Sequence, residues 1–309
     1  MKLMLPEYHG LPEAYPRIRR ISSKLADYLV LTRPLTLLGA WAAGFFLDLL
    51  FSKLAGSTLN LTRAFAVGLT LAFLQGGGQA LNQSIGEEVE IDRANGKTYR
   101  PTVEGRISLL EGKAVAIATF TSGVALAYVV NPSYGLYALL IAFFAVAYTA
   151  RPFRVKRFFL LNNVWQGVAR GLLPAVYVAS TYGYGLTAFL FGIALAVWVT
   201  GAQATKDFGD EAGDRVFNIR TFPVVLGRDK ALKLMAGFMA AGFALLDLFT
   251  AFGYLPTSFY ALNVLLAPST VIIWGLRRMV KLHGVENSAS WALWYATLGL
   301  FYALPALLP

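Results

Sequence analysis

The chain has 309 residues, of which 57% are hydrophobic and only 14% are charged, and its formal net charge is +10. A soluble domain carries roughly 25% charged residues, so this composition excludes an ordinary soluble protein and indicates an integral membrane protein. The chain has no cysteine, which excludes disulfides, thiolate catalysis and thiolate metal sites. The two histidines, His9 and His283, lie in predicted non-membrane segments, so we do not expect a histidine-based zinc or haem site.

Residues 1–23 are polar and basic and include several prolines, which indicates an N-terminal segment at the membrane surface. We interpret residues 24–309 as one membrane domain, because apolar stretches long enough to cross a bilayer recur to the end of the chain. The predicted spans are 25–51, 62–92, 107–130, 134–150, 160–181, 186–206, 229–252, 257–279 and 288–307. They predict an all-α integral membrane protein with a bundle of about nine transmembrane helices.

Basic residues indicate how these helices cross the membrane. If nine helices are counted from the N-terminus, every Lys and Arg except Lys53 and Arg63 lies on the N-terminal side or in the adjoining helix halves. Basic residues of membrane proteins concentrate on the cytoplasmic side, so we expect a multi-pass protein of the cell membrane with this side in the cytoplasm. The positive charge is then a topology signal, and we expect membrane lipids, and no nucleic acid, as partners.

The segment at 82–101, NQSIGEEVEIDRANGKTYRP, begins where an apolar helix ends and is rich first in carboxylates and then in cations. Charged groups at membrane depth cost about 2.5–3.5 kcal/mol each, so such a cluster indicates a water-filled or functional site. Glu88 and Asp92 are four residues apart and present the hard oxygen ligands that Mg²⁺ prefers. Lys97 and Arg100 follow, and such cations suit phosphate oxygens.

A second segment of the same kind, KDFGDEAGDRVFNIR at 206–220, closes the sixth predicted helix on the same side of the membrane. Asp207, Asp210 and Asp214 share one helix face, where like charges repel each other unless a cation lies among them. A solvated helix end would explain either acidic segment alone. Two segments with common spacing, a common side and flanking Lys and Arg residues instead favour a shared site for Mg²⁺ and phosphate.

Two further polar features lie within predicted spans. Asn162, Gln166 and Arg170 recur at four-residue spacing and form a polar stripe on the fifth predicted helix. The stripe has two interpretations, a cavity lining that contacts substrate or a structural hydrogen bond between helices. Arg33 precedes Pro34 in the first predicted helix, where it either contacts an acidic acceptor group or extends toward the lipid headgroups.

The second acidic segment resembles a motif of the UbiA superfamily of intramembrane prenyltransferases, D-x-x-D-x-x-x-D followed by R-T-x-P. It matches without departure at Asp207, Asp210, Asp214, Arg220, Thr221 and Pro223, and Lys206 precedes it as in the family. The first segment resembles the other family motif, N-D-x-x-D-x-x-x-D followed by a basic stretch ending in R-P, through Asn82, Asp92 and Arg100. The segment 148–156, YTARPFRVK, resembles the family's Tyr, Pro and Lys after the fourth helix through Tyr148 and Lys156.

The first motif departs from the family pattern in length and composition. Asn82 and Asp92 are ten residues apart where the family has eight. Gln83 stands where Asp is usual, and Glu88 replaces the middle Asp. With 3.6 residues per turn, one unbroken helix cannot direct all three matching side chains to one face, so we predict a break or bulge within the motif. Both Asn82 and Ser84 remain candidates for the neutral ligand.

The resemblance implies a bundle around a central cavity that is open to the cytoplasmic side. It also implies Mg²⁺-dependent transfer of a polyprenyl group from a polyprenyl diphosphate, with release of diphosphate. The acceptor that we expect is aromatic, 4-hydroxybenzoate or a related quinone precursor, with geranylgeranylglyceryl phosphate or a tetrapyrrole as alternatives. A different class, an ion-coupled transporter, would bind its ion near the bilayer midplane, whereas these carboxylates lie at helix ends.

The residues that the two motifs and the resemblance imply fall into three groups. The predicted metal ligands are Glu88, Asp92, Asp207, Asp210 and Asp214, and the predicted catalytic residues are Asp92, Asp210 and Asp214. The predicted substrate-binding residues are Arg33, Asn82, Lys97, Arg100, Tyr148, Lys156, Asn162, Gln166, Arg170, Lys206 and Arg220.

Overall fold

The computed structural model describes residues 16–281 and 288–308, and all regular structure in these ranges is helical. The α-helices are α1 Pro16–Thr32, α2 Pro34–Leu54, α3 Leu61–Asn82, α4 Gly86–Ala94, α5 Leu109–Val130, α6 Pro132–Thr149, α7 Leu161–Gly167, α8 Leu173–Ala179, α9 Gly185–Ala202, α10 Asp207–Val216, α11 Phe222–Leu226, α12 Arg228–Ala251, α13 Leu266–Arg277 and α14 Ala289–Leu307. Most of the predicted surface segment and both histidines lie outside the described residues, and residues 16–23 form the start of α1.

Seven helical segments in the described ranges are long and apolar enough to cross a membrane: Pro34–Leu54, Leu61–Asn82, Leu109–Val130, Pro132–Thr149, Gly185–Val216, Arg228–Ala251 and Thr257–Arg277. The predicted all-α membrane fold is confirmed, but the count of nine is not. The fifth predicted span is divided into α7, a π-helical turn and α8. The ninth, α14, has 19 residues, and its Trp and Tyr residues lower its mean hydropathy.

The first predicted helix is not continuous, because the chain bends at Arg33. This residue has φ 57° and ψ 76°, a left-handed conformation that separates α1 from α2. Pro34 then starts α2, at a helix position where the missing backbone N–H is not needed. The prediction of one helix over 25–51 was wrong for this reason.

The break predicted within the first acidic motif lies between α3 and α4. Helix α3 ends at Asn82 and α4 starts at Gly86, and the intervening residues form a turn. Ser84 is buried in this turn, where its hydroxyl donates to the carbonyl of Ala80 at 2.6 Å. Because the turn changes the direction of the chain, the carboxylates of α4 do not have to continue a face of α3.

Close contacts at glycines bring α3 against two of its neighbours, α2 and α5. A Cβ on Gly44 of α2 would lie 2.6 Å from the carbonyl oxygen of Val67 and 2.8 Å from the Cα of Gly68. A Cβ on Gly77, in the triple glycine of α3, would lie 2.7 Å from the Phe120 ring on α5. Helix association in membranes depends on such packing. Gly44 lets α2 and α3 meet backbone to backbone, and Gly77 makes room for the Phe120 ring.

A buried polar network lies at the end of α3 that is remote from α4. The carboxylate of Asp48, which is 2% exposed, accepts hydrogen bonds from Tyr182 at 2.9 Å and from Tyr134 at 3.3 Å. Arg63 lies 3.5 Å from this carboxylate and donates to Tyr134 at 2.9 Å and to Thr181 at 2.8 Å. We call these five residues the Asp48 network, and each of them has a polar partner inside it.

Candidate active site

The helices surround a cavity of about 1540 Å³, open solvent at its mouth included. One part of its wall is charged and belongs to the two acidic motifs, and another part is apolar and aromatic. Such a cavity suits a molecule with an apolar tail and an anionic head. The predicted site residues that line it are Arg33, Asn82, Glu88, Asp92, Lys97, Arg100, Tyr148, Lys156, Asn162, Gln166, Arg170, Lys206, Asp210 and Asp214.

A single ammonium group joins the two acidic motifs. The Nζ atom of Lys97 lies 3.8 Å from Oδ1 of Asp92 and 2.6 Å from Oδ1 of Asp210. Arg100 also pairs with Asp92, through the other carboxylate oxygen. One carboxylate of α4 and one of α10 therefore face the same cation, and the two motifs meet at this point of the cavity wall.

Two cations from the connection between α6 and α7 hold Glu88 in its ionised form. Glu88 is 3% exposed. Arg154 donates to its Oε1 at 3.0 Å, and Lys156 pairs with its Oε2. Burial alone would raise the pKa of Glu88, but the Lys156 ammonium and the Arg154 guanidinium outweigh burial and hold this pKa below its usual value. Glu88 therefore presents an anionic carboxylate to the cavity.

The three carboxylates of the second motif differ in their partners. Asp210 pairs with Lys97, and Asp214 lines the cavity. Asp207 is 1% exposed, and its Oδ1 lies 3.3 Å from Nζ of Lys206. Its other oxygen, Oδ2, is buried and has no hydrogen-bond partner among the described residues. A buried oxygen in this condition is suited to a metal ion or an ordered water.

Tyr148 connects the second motif to α7. Lys206 donates to the Tyr148 hydroxyl at 3.0 Å, and this hydroxyl donates to Oδ1 of Asn162 at 3.2 Å. The Lys206 ammonium also lies 5.6 Å from the centroid of the Tyr148 ring. These contacts hold the ammonium at the cavity wall, beside Asp207.

Arg33 lines the cavity next to α14. Its Nη1 donates to Oε1 of Gln79 at 3.2 Å, and its guanidinium lies 5.5 Å from the centroid of the Trp291 ring. We predicted that Arg33 either contacts an acceptor group or extends toward the lipid headgroups. Its position in the cavity wall favours the first alternative.

The polar stripe of the fifth predicted helix also lines the cavity. Arg170 belongs to the π-helical turn Val168–Leu172. Its Nε donates to Oε1 of Gln166 at 3.0 Å, and its guanidinium lies 5.4 Å from the centroid of the Tyr295 ring. The Tyr302 hydroxyl donates to the backbone carbonyl of Arg170. π-Helical turns are frequent at functional sites, and this one places an arginine in the cavity wall.

Of the two candidates for the neutral residue of the first motif, Asn82 faces the cavity. Its Nδ2 donates to Oγ1 of Thr149 at 2.7 Å. Ser84 is 0% exposed and packs against Gly112, where a Cβ would lie 2.0 Å from the Ser84 hydroxyl. The geometry therefore favours Asn82 over Ser84.

The structure does not bring Arg220 to the cavity. Its side chain is exposed, whereas its neighbours Ile219 and Thr221 line the cavity. The segment between α10 and α11 is not helical, and successive side chains of an extended chain point in opposite directions. The side chain of Arg220 therefore points away from the cavity. The prediction that Arg220 binds substrate is not supported by this position.

Within the described ranges, no group of three or more carboxylate residues is arranged to hold a metal ion. Three of the carboxylates that line the cavity, Glu88, Asp92 and Asp210, are paired instead with Lys97, Arg100, Arg154 and Lys156. Their donor chemistry nevertheless fits Mg²⁺, which binds one or two carboxylates together with substrate phosphates and water, and rarely occupies a cage made only of protein groups. The unpartnered Oδ2 of Asp207 agrees with this fit.

Comparison with known proteins identifies the family. The profile of the UbiA prenyltransferase family matches residues 32–304. The chain belongs to this family. It is therefore a membrane enzyme that transfers prenyl groups, and the alternative of an ion-coupled transporter was wrong.

Three relatives of this UbiA-family prenyltransferase carry two different enzyme names. A digeranylgeranylglyceryl phosphate synthase from Methanococcoides burtonii is 32% identical over 53% of this chain and 56% of the relative. One from Saccharolobus solfataricus is 30% identical over 68% of this chain and 72% of the relative. A protoheme IX farnesyltransferase from Sulfurisphaera tokodaii is 30% identical over 59% of this chain and 60% of the relative. The match thus spans little more than half of the first of these relatives.

A solved structure shares the fold of this prenyltransferase. It is a UbiA homolog from Archaeoglobus fulgidus bound to DMAPP and Mg²⁺, with a TM-score of 0.70 and 20% sequence identity. The likeness covers 90% of this chain and 97% of the other.

The site of this UbiA-family enzyme includes residues that the sequence analysis missed. Arg154 is 3% exposed and pairs with both Glu87 and Glu88. Its position in the same basic segment as Lys156 was the available signal. Trp291 and Tyr295 line the cavity four residues apart on α14, but no charged neighbour in the sequence marks them.

Proposed function

We propose that this prenyltransferase transfers a prenyl group from a prenyl diphosphate to a glyceryl phosphate lipid and uses Mg²⁺. The observation that carries the proposal is the position of the Lys97 ammonium, 3.8 Å from Asp92 and 2.6 Å from Asp210. A cation held by both motifs marks a point where a Mg²⁺-bound diphosphate could contact both. The Mg²⁺ and DMAPP of the Archaeoglobus fulgidus homolog support the choice of metal and donor.

The charged wall provides the groups that this reaction needs. When bound, Mg²⁺ neutralises the charge that develops on the departing diphosphate. Lys97, Arg100, Lys156 and Lys206 donate hydrogen bonds to phosphate oxygens, which attract cationic donors strongly. The residues that would hold Mg²⁺ are Glu88, Asp92, Asp207, Asp210 and Asp214, with Asp92, Asp210 and Asp214 closest to the reacting groups.

The proposed chemistry forms one bond and breaks another. The bond between the first prenyl carbon and the diphosphate oxygen breaks, and its electron pair leaves with the diphosphate. The acceptor hydroxyl oxygen forms the new bond to that carbon, and its proton passes to a cavity carboxylate or to water. Asn82, Tyr148 and Asn162 position the reactants, and the apolar wall excludes water that would otherwise capture the prenyl cation.

The acceptor in this proposal is a glyceryl phosphate lipid, and not the aromatic acid that the resemblance implied. The names of the Methanococcoides burtonii and Saccharolobus solfataricus relatives support this choice. Arg33 and Arg170 line the cavity beside α14 and suit the acceptor's phosphate, because guanidinium groups bind phosphate through paired hydrogen bonds. Gln166 accepts a hydrogen bond from Arg170 and orients this guanidinium. A tetrapyrrole is the second candidate, which the farnesyltransferase relative favours.

We propose that the cavity opens to the cytoplasm and that the enzyme lies in the cell membrane. The segregation of Lys and Arg residues supports this orientation. In this arrangement the prenyl tails of both substrates stay in or beside the bilayer.

The proposal is tested with the purified full-length protein in lipid nanodiscs. Labelled geranylgeranyl diphosphate is supplied with geranylgeranylglyceryl phosphate, 4-hydroxybenzoate or protoheme, with Mg²⁺ or with EDTA. We expect diphosphate release and a labelled product with the glyceryl phosphate acceptor, and their loss with EDTA. Faster transfer to 4-hydroxybenzoate would overturn the acceptor assignment, and full turnover in EDTA would overturn the role of the metal.

A further inference from the structure

A hydrogen bond between uncharged groups also joins the two acidic motifs. Neither of its residues, Asn95 and Gly213, is among those that line the cavity. The side-chain oxygen Oδ1 of Asn95 accepts a hydrogen bond from the backbone N–H of Gly213 at 2.7 Å. Asn95 caps the C-terminal end of α4, three residues after Asp92. Gly213 lies in α10, directly before Asp214. The bond therefore links the side chain that caps α4, three residues after Asp92, to the backbone of α10 directly before Asp214.

The fit between these two residues leaves no room for another atom. A Cβ on Gly213 would lie 2.6 Å from Nδ2, 2.7 Å from Cγ and 2.7 Å from Oδ1 of Asn95. All three distances are far shorter than ordinary van der Waals contact. Glycine at this position lets the whole amide group of Asn95 lie against the backbone of α10.

This link differs in chemistry from the ion pairs nearby. Lys97 also connects α4 to α10, but it does so through the carboxylates of Asp92 and Asp210, and a metal ion would compete for those oxygens. The Asn95 bond joins a neutral amide to a backbone N–H. Mg²⁺ and phosphate would not compete with this bond. It can therefore persist in both the free and the loaded enzyme.

We propose that Asn95 is a positioning residue, which sets the distance between the carboxylates of α4 and those of α10 through the backbone of Gly213. Carboxylates that share one metal–diphosphate group must be held within about 0.5 Å of the productive geometry. The carboxylates of each motif are spaced by their own helix, but nothing within a helix sets the distance to the other motif. The inference rests on the proposed function only in that the shared ligand is a Mg²⁺-bound diphosphate.

The kinetic test uses Asn95→Ala in the purified full-length protein in nanodiscs. Loss of one hydrogen bond that aligns a binding site corresponds to roughly a tenfold change in affinity. We expect the KM for geranylgeranyl diphosphate and the Mg²⁺ concentration for half-maximal activity each to rise roughly tenfold. The KM for the acceptor should stay within about twofold. A general loss of folded protein would instead lower kcat and leave every KM unchanged, so the two explanations can be told apart.

Two further variants separate the hydrogen bond from the packing around it. Gly213→Ala forces the Asn95 amide away by steric overlap and should change the two constants in the same direction as Asn95→Ala. The matched control is Asn131→Ala, which removes an asparagine oxygen that accepts from the backbone N–H of Ser133 at 2.8 Å, at the start of α6. The control should leave both constants within about twofold of the parent.

A second readout does not depend on catalysis. The chain has no cysteine, so Glu90→Cys and Val216→Cys place two spin labels on exposed positions of α4 and α10. We expect a narrow distance distribution in the parent and a shifted or broader one with Asn95→Ala. Asn95→Asp keeps an oxygen that can accept from Gly213 and should restore the narrow distribution.

The two readouts distinguish failure of this inference from failure of the proposed function. An unchanged label distance in Asn95→Ala, or unchanged constants for Mg²⁺ and prenyl diphosphate, would overturn the positioning role. If the parent enzyme does not turn over geranylgeranyl diphosphate, the proposed function fails, and the label distances still decide whether Asn95 holds the two helices together.

Discussion

The protein contains two groups of charged side chains at opposite ends of α3, and they differ in how their charges are satisfied. In the Asp48 network, one carboxylate is surrounded by Arg63, Tyr134 and Tyr182, all of which direct polar groups to it. In the two acidic motifs, Lys97 lies between two carboxylates, and one buried oxygen of Asp207 has no hydrogen-bond partner in the part of the chain that the structure describes.

The comparison shows that a buried charge does not by itself mark an active site. Asp48 and Asp207 are almost equally buried, at 2% and 1% exposed. A carboxylate whose partners are all protein groups contributes to folding, because removal of one partner leaves a buried charge unpaired. Asp207 is not among the residues that line the cavity, but its Oδ2 has no hydrogen-bond partner among the described residues and retains the capacity to bind a ligand. The two groups should therefore respond to substitution in opposite ways.

The largest expected effect is that of Asp210→Ala or Asp92→Ala on prenyl transfer. Each substitution removes a proposed metal ligand, and metal ions contribute several kcal/mol of stabilisation to such transition states. We expect a loss of roughly a thousandfold in kcat/KM, measured as diphosphate release from geranylgeranyl diphosphate. Thermal unfolding should change less than in Asp48→Asn, because Lys97 keeps the other of its two carboxylate partners. Glu211→Ala is the matched control, because Glu211 lies on α10 and pairs with Arg215 and Arg228. Retention of more than about a tenth of activity by either Asp variant would contradict its role.

The opposite response is expected at the other end of α3. Asp48→Asn removes the charge of the buried carboxylate and leaves Arg63, whose side chain is 34% exposed, without its ionic partner, at a cost of about 1–3 kcal/mol. Thermal unfolding in detergent should show this loss of stability, whereas kcat/KM per folded molecule should stay within about twofold of the parent, as for substitutions remote from a site. A loss of activity without a loss of stability would remove the distinction between the two groups.

A smaller effect is expected for Arg170→Gln. The substitution removes a guanidinium from the cavity wall but keeps a polar side chain, so the KM for the glyceryl phosphate acceptor should rise roughly tenfold. The KM for the prenyl diphosphate should not change. Arg278→Gln is the control, because the Arg278 guanidinium lies 4.4 Å from the centroid of the Trp274 ring and is not among the residues that line the cavity. Equal changes in both KM values would show that Arg170 does not discriminate between the substrates.

The smallest effect is expected for Arg220→Ala, although this arginine belongs to the second motif. Its side chain is exposed and points away from the cavity, and exposed substitutions usually change free energies by no more than about 0.5 kcal/mol. Steady-state kinetics should therefore stay within about twofold of the parent. A loss comparable to that of Asp210→Ala would show that Arg220 moves into the cavity when substrate binds.

The parts of the site that the sequence predicts are those that depend on local geometry. The spacing of Asp207, Asp210 and Asp214 places them on one helix face wherever that helix packs. The ten-residue separation of Asn82 and Asp92 is incompatible with one continuous helix face, and a turn is present between α3 and α4. Both predictions need only the pitch of an α-helix.

The features that the sequence did not predict depend on contacts between distant segments. Motif spacing gives no information on the distance from Lys97 to Asp210, or on which glycine faces Asn95. The exposure of Arg220 depends on how the chain turns between two helices. The left-handed conformation of Arg33 has no glycine to signal it. Pro34 was the available signal for a bend, because proline disfavours a helical conformation at the residue before it.

The Lys97 ammonium has a consequence for the resting enzyme. Carboxylates brought together from separate helices would push those helices apart if no positive charge lay between them. Here a covalently attached counter-ion supplies that charge, so the two motifs can assemble before any divalent ion arrives. In the proposed Mg²⁺-dependent reaction, depletion of free Mg²⁺ would then stop turnover while the two motifs stayed together, and activity would return with the ion.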